Sequence, residues 1–61
     1  MAFYNLGIAY KDSNQLKEAI DAYKRAIVIK PDYHEAFNNL GFSYHANNQL
    51  KEAIDAYKRA I

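Results

Sequence analysis

Residues 14–27 read NQLKEAIDAYKRAI, and residues 48–61 read NQLKEAIDAYKRAI again, identical at every position and offset by 34. The same register runs upstream, where Phe3-x-Asn5-Leu6-Gly7-x-x-Tyr10 returns as Phe37-x-Asn39-Leu40-Gly41-x-x-Tyr44. A fixed period of this length marks supersecondary units that stack on one another, because a single unit cannot bury its own apolar face. Inside the copied stretch, Leu16, Ala19, Ile20, Tyr23, Ala26 and Ile27 recur at helical spacing, which predicts an amphipathic helix of three turns. Its opposite face carries Lys17, Glu18, Asp21, Lys24 and Arg25. Asp21 and Arg25 stand four apart in the favourable order, a pair that contributes only ~0.3 kcal/mol and chiefly keeps the face solvated.

Working outward, Phe3, Leu6, Gly7 and Tyr10 form a second helical stripe. A glycine inside a helix costs about 1 kcal/mol against alanine. Its return at Gly41 in the same stripe position implies a close approach of a neighbouring helix. Asp12-Ser13-Asn14 breaks the helix with residues that compete for backbone hydrogen bonds, and Asn14 is suited to a left-handed cap. Asn47-Asn48 occupies the equivalent place. Pro31 disfavours helix at the residue before it, so the second helix is expected to end near Ile29. Asp32 lies three residues before Glu35, which predicts an N-cap with a capping-box partner for the third helix. That helix carries the stripe Phe37, Leu40, Gly41 and Tyr44, and the fourth repeats the second up to the last residue. The expected fold is all-α: four helices in antiparallel succession, joined by short turns.

At 61 residues the chain makes one small unit, in which apolar burial only narrowly offsets the cost of ordering. It has no cysteine, hence neither a disulfide nor a thiolate metal site, which fits a reducing compartment. A net charge of +1 from interleaved acids and bases gives no electrostatic footprint for nucleic acid or an anionic membrane. The apolar run from Ala26 to Ile29 is too short to span a bilayer, and Met1-Ala2-Phe3-Tyr4 shows no signal-peptide pattern. A cytoplasmic location is the default expectation.

These motifs resemble tetratricopeptide repeats, helix-turn-helix units of 34 residues. The family's pattern of an aromatic, Leu-Gly, tyrosine, alanine, aromatic, alanine and proline falls on Phe3, Leu6, Gly7, Tyr10, Ala19, Tyr23, Ala26 and Pro31. The second copy supplies Phe37, Leu40, Gly41, Tyr44, Ala53, Tyr57 and Ala60. The resemblance implies a right-handed α-solenoid of antiparallel helix pairs, with one repeat over residues 1–33 and a second over 34–61 that stops before its proline and has no capping helix. It departs from the family in having Phe for the usual Trp and Asn at 14 and 48, where Gly is frequent. Because the chain opens and closes inside the pattern, it is expected to be a fragment of a longer array.

No constellation for chemistry emerges. His34 and His45 are eleven residues apart, about 16 Å along a helix axis, too far for one metal. Glu18 and Asp21, copied as Glu52 and Asp55, sit on a charged face with no pocket to separate their pKa values. There is no Gly-rich phosphate loop and no nucleophile beside a histidine. The expectation is therefore a protein that is not an enzyme and takes no cofactor.

The stripe positions of Tyr10, Tyr23, Tyr44 and Tyr57 assign them to the core. Tyr4, Ile8 and Phe42 lie off the stripes. In the family, the first helix of each repeat lines a concave groove, which by resemblance falls here on Tyr4, Asn5, Ile8, Lys11 and Asp12, then Glu35, Asn38, Asn39, Phe42 and His45. The leading expectation is a protein–protein interaction module that binds a peptide through this groove. The family's clamp for a C-terminal carboxylate is not reproduced: Asn39 matches one of its positions, but Tyr4 and Ile8 replace its basic residue and first asparagine. A structural role is the alternative. The last helix would leave Tyr57, Ala60 and Ile61 partly uncovered, and such ends favour homo-oligomers, head-to-tail or by helix exchange at Asp12-Ser13-Asn14 or Lys30-Pro31-Asp32.

Overall fold

Four helices account for nearly the whole chain in the computed structural model, which describes residues 2–61. They are α1 (Ala2–Asp12), α2 (Leu16–Ile29), α3 (His34–Ala46) and α4 (Leu50–Ala60). Helix α1 packs on α2, α2 on α3 and α3 on α4, with a slighter contact between α1 and α3. This gives two adjacent helix pairs in a flat body of 26 × 26 × 13 Å.

The turns form as the sequence dictates. Asn14 has φ 62° and Asn48 φ 63°, so both take the left-handed conformation that asparagine tolerates. Each sits in the same pair of bonds: Asn14 N–H donates to Lys11 O and Gln15 N–H to Tyr10 O, repeated by Asn48 to His45 O and Gln49 to Tyr44 O. That is the Schellman arrangement, which satisfies the last carbonyls of α1 and α3. Helix α2 ends at Ile29, ahead of Pro31. The start of α3 differs from expectation. Tyr33, not Asp32, occupies the N-cap, and no side chain caps the helix. Two contacts account for this. The Tyr33 N–H closes a turn by donating to Lys30 O at 3.1 Å, and its ring lies 4.9 Å from that of Tyr4. Anchoring Tyr33 against α1 carries the chain one residue past Asp32 before the helix begins.

The core is built from Ala19, Ile20, Tyr23, Phe37, Leu40, Tyr44, Ala53 and Ala56, with Tyr4, Ile8, Tyr10, Ile27 and Ala60 packed around it. Ala22, Ala36 and Ser43 are buried too, outside the predicted stripes, because α2 and α3 are each contacted on more than one side. Identical sequence does not give identical burial. Ile20 is 7% exposed but its copy Ile54 is 56% exposed, and Tyr23 at 0% contrasts with Tyr57 at 36%. Leu6 is 43% exposed, whereas Leu40 is buried. Tyr57, assigned to the core by its stripe and also expected to be partly uncovered, is thus open on one side, and Leu6 on the first stripe is open as well. The reason is packing order: α3 covers α2, while among the described residues no helix covers the outer faces of α1 and α4. The expected Asp21–Arg25 pair forms at 3.1 Å and is repeated by Asp55–Arg59 at 3.4 Å, both largely solvated.

The two glycines show what the stripe position is for. A Cβ on Gly7 would lie 2.6 Å from Cε1 of Tyr23, and one on Gly41 would lie 2.8 Å from Cδ1 of Tyr57. Each tyrosine ring rests on the bare backbone of its partner helix. The hydroxyl of Tyr23 is buried without a hydrogen-bond partner, as is that of Ser43. Burial first, then the neighbouring Tyr4 and Asp12, push the Tyr23 phenol up to about 12. The Asn39 amide pulls the other way, but its well-formed bond goes to Tyr4.

Two predictions follow from these contacts. Gly7→Ala should destabilise the fold by ~2 kcal/mol, because the enclosed Tyr23 cannot move aside and overpacking outweighs the gain in helix propensity. Gly41→Ala should stay within ~1 kcal/mol of the parent, since the open Tyr57 can rotate away. Urea unfolding of the two variants at dilute concentration compares them directly, and equal losses would show that enclosure of the ring is not what matters. Alkaline unfolding tests the second point. The Tyr23 pKa is higher folded than unfolded, so its contribution is intact below about pH 10 and is lost as pH rises towards 12. Tyr23→Phe removes both the titration and the unpaired hydroxyl, and should move the alkaline unfolding midpoint upward; an unchanged midpoint would mean the phenol does not titrate in the transition.

Candidate functional site

The surface that α1 and α3 present together is held by side chains along their seam. The Tyr4 ring lies between Tyr33, at 4.9 Å, and Tyr23, at 5.9 Å, and its hydroxyl accepts a hydrogen bond from Nδ2 of Asn39 at 3.0 Å. Further along, Nζ of Lys11 stands 5.4 Å from the centre of the Phe42 ring. A cation–π contact of this sort also joins α2 to α3, with Lys24 Nζ 5.7 Å from the Tyr44 ring. The α1–α3 seam is thus made of an aromatic cluster, one amide–phenol bond and one cation–aromatic contact, with a second such contact joining α2 to α3.

The ten residues expected to line one groove divide into two groups. Tyr4, Ile8, Lys11, Asn39 and Phe42 lie at or beside the seam, and Asn5 and Asp12 are exposed on α1. Tyr4 and Ile8 are partly buried against the core rather than standing free, because α3 packs across α1 at this point. The Asn39 amide nitrogen and the Tyr4 phenol oxygen are engaged with each other. Phe42 keeps 48% of its surface open. Glu35 and Asn38 instead line a hollow of about 490 Å³ at the α4 end, shared with His34, Tyr57, Ala60 and Ile61. His45 is exposed on the last turn of α3. Asn38 therefore stands with the three residues expected at the self-association surface, Tyr57, Ala60 and Ile61.

Some exposed apolar residues lie outside both expectations. Leu50 is 51% and Ile54 56% exposed beside Tyr57, and both are copies of residues on α2. Their signal was present in the repeat itself: whatever covers Leu16 and Ile20 must also be supplied to Leu50 and Ile54. A second cleft, of about 600 Å³, opens between α2 and α4 over Phe37, Leu40 and Tyr44, with charged residues on its rim. No periodicity argument reveals it, because it arises where α2 and α4 diverge across α3. Among the described residues no group of three His, Asp or Glu side chains could hold a metal ion. No described helix is long and apolar enough to cross a membrane.

The TPR repeat family matches this chain over residues 7–48. Among eleven similar solved chains is the crystal structure of MamA, 34% identical with a TM-score of 0.92 over 97% of the present chain. The chain spans 34% of the length of that MamA chain. No curated protein sequence matches it. The sequence period, the helix pairs it folds into and the match across both pairs agree: this chain belongs to the TPR repeat family.

Proposed function

We propose that the chain is a non-enzymatic protein-interaction module that takes an extended or helical peptide across the α1–α3 surface. TPR repeats generally serve as protein–protein interaction scaffolds. The observation that supports this use of the surface is Phe42, half open in the middle of the seam with the Lys11 ammonium beside its ring. An open aromatic next to a cation offers an apolar anchor beside a charged contact, the composition in which a few residues carry most of the binding energy. Because Tyr4 and Asn39 are already bonded to each other, their role is to hold the two helices in register beneath the peptide. Peptides selected from a random displayed library against the parent chain should bind Phe42→Ala about fivefold or more weakly, ~1 kcal/mol. Unchanged affinity, or a library that yields no binder, rules out this surface.

A second reading is favoured by a separate observation, the exposure of Leu50, Ile54 and Tyr57 along one face of α4 and of Ile61 just past its end. On this reading the 61-residue chain also self-associates through that face. Its mass by sedimentation equilibrium should rise over a roughly hundredfold concentration range. Replacing Tyr57 and Ile61 together with lysine should return it to the monomer; a mass that ignores the double substitution excludes the interface.

A further inference from the structure

We propose that α1 of a second copy seats on the α3–α4 face in the register in which α3 seats on the α1–α2 face, giving a head-to-tail contact. This rests on the self-association reading above and specifies which two surfaces meet. The argument is the chain's own internal interface. Helix α2 and its copy α4 have the same sequence, and the structure shows what covers the first. The covering helix, α3, carries Phe-x-Asn-Leu-Gly-x-x-Tyr, and α1 carries the same pattern 34 residues earlier. So the 61-residue chain holds both an acceptor without a cover and a cover without an acceptor.

Burial on both faces agrees. On the acceptor side, Ile54 and Tyr57 are open where Ile20 and Tyr23 are closed. On the covering side, Leu6 is 43% exposed where Leu40 is buried at 5%. A symmetric contact between two α4 faces would leave the α1 deficit unanswered. A head-to-tail contact removes both.

Shifting each internal contact by one repeat gives the pairs that form between chains. Tyr4–Asn39 becomes Asn38 against Asn5 of the second copy, two amides that can each donate and accept. Lys11–Phe42 becomes His45 against Ile8 of the second copy. Lys24–Tyr44 becomes Lys58 over Tyr10 of the second copy. None of these pairs brings like charges together, and Asn5, Asn38, His45 and Lys58 are all exposed and available. Asn38 lines the hollow beside Tyr57, which is where the incoming helix would lie. A contact of this kind joins non-identical surfaces and does not saturate at two copies.

Two half-blocked chains test the direction. Leu6→Lys spoils the covering face and Ile54→Lys the acceptor, both at positions already exposed. Each variant alone should sediment as a monomer, and their mixture should form a one-to-one heterodimer. If Leu6→Lys alone still dimerises, or the mixture stays monomeric while the parent chain associates, the head-to-tail register is wrong and self-association by another face stands. A parent chain that is monomeric throughout overturns both. Register is read separately by cross-linking, because the chain has no cysteine of its own. Chains carrying Asn5→Cys and Asn38→Cys should give a disulfide-linked heterodimer under mild oxidation. Predominant Asn38→Cys homodimers would instead show the symmetric α4–α4 contact.

Discussion

The rest of the structure depends on a tyrosine ring lying against a glycine. At Gly7 the backbone of α1 comes close enough to Tyr23 that even a methyl group would intrude, and Gly41 repeats this with Tyr57. This close approach sets the separation within each helix pair. The contact explains why a residue poor in helix propensity is kept on the buried stripe twice: the loss, about 1 kcal/mol, is set against burial of a large aromatic side chain, worth roughly 2 kcal/mol. Small side chains serve close packing elsewhere too: Ala19, Ala22, Ala26 and Ala36 are all closed to solvent, and larger side chains there would push the helices apart.

The same fourteen residues occur in two environments, which separates what the helix contributes from what its neighbours contribute. Both copies form a helix and both form their Asp–Arg pair. Local sequence decides that much. Burial of Ile20 but not Ile54 is decided by α3. In a stacked repeat, stability is the sum of a unit's own terms and those of its interfaces with the next unit. Among the described residues the two pairs meet through α2 with α3 and the nearby α1–α3 seam.

This division also describes what could be read from the sequence. The number and type of elements, the asparagine caps and the end of α2 follow from spacing and from single residues whose conformational preferences are strong. Pro31, Asn14 and Asn48 act within a few bonds. The start of α3 departs from the local pattern: Asp32 and Glu35 match a capping box, while the deciding contact is Tyr33 with Tyr4, 29 residues away in sequence. The openness of Leu6 and Tyr57 has a similar cause: a stripe tells which face of a helix is apolar but not whether anything covers it. Within the expected groove, shared helix positions do not fix which neighbour a residue meets: Tyr4 and Ile8 pack into the seam, while Glu35 and Asn38 line the hollow beside α4.

That redistribution links the two surfaces through α3. Asn39 and Phe42 face α1 on one side of the helix, and Asn38 and His45 lie towards the open side. If a second copy docks in register, its Asn5 and Ile8 arrive beside Asn38 and His45, and the seam that now runs between α1 and α3 continues between α3 and the incoming α1. A peptide lying along the first seam would then meet the beginning of the second. Contacts to both would be gained only in the assembled form, so peptide binding and assembly would favour each other by the same factor, as linkage requires. A chain of two helix pairs has a short interaction surface of its own; stacking would lengthen it without any new kind of contact. In that arrangement the polar pairs matter for a reason apart from stability. An apolar face such as Leu50, Ile54 and Tyr57 accepts many partners, whereas an amide that must meet an amide at Asn38 selects one sliding position among them.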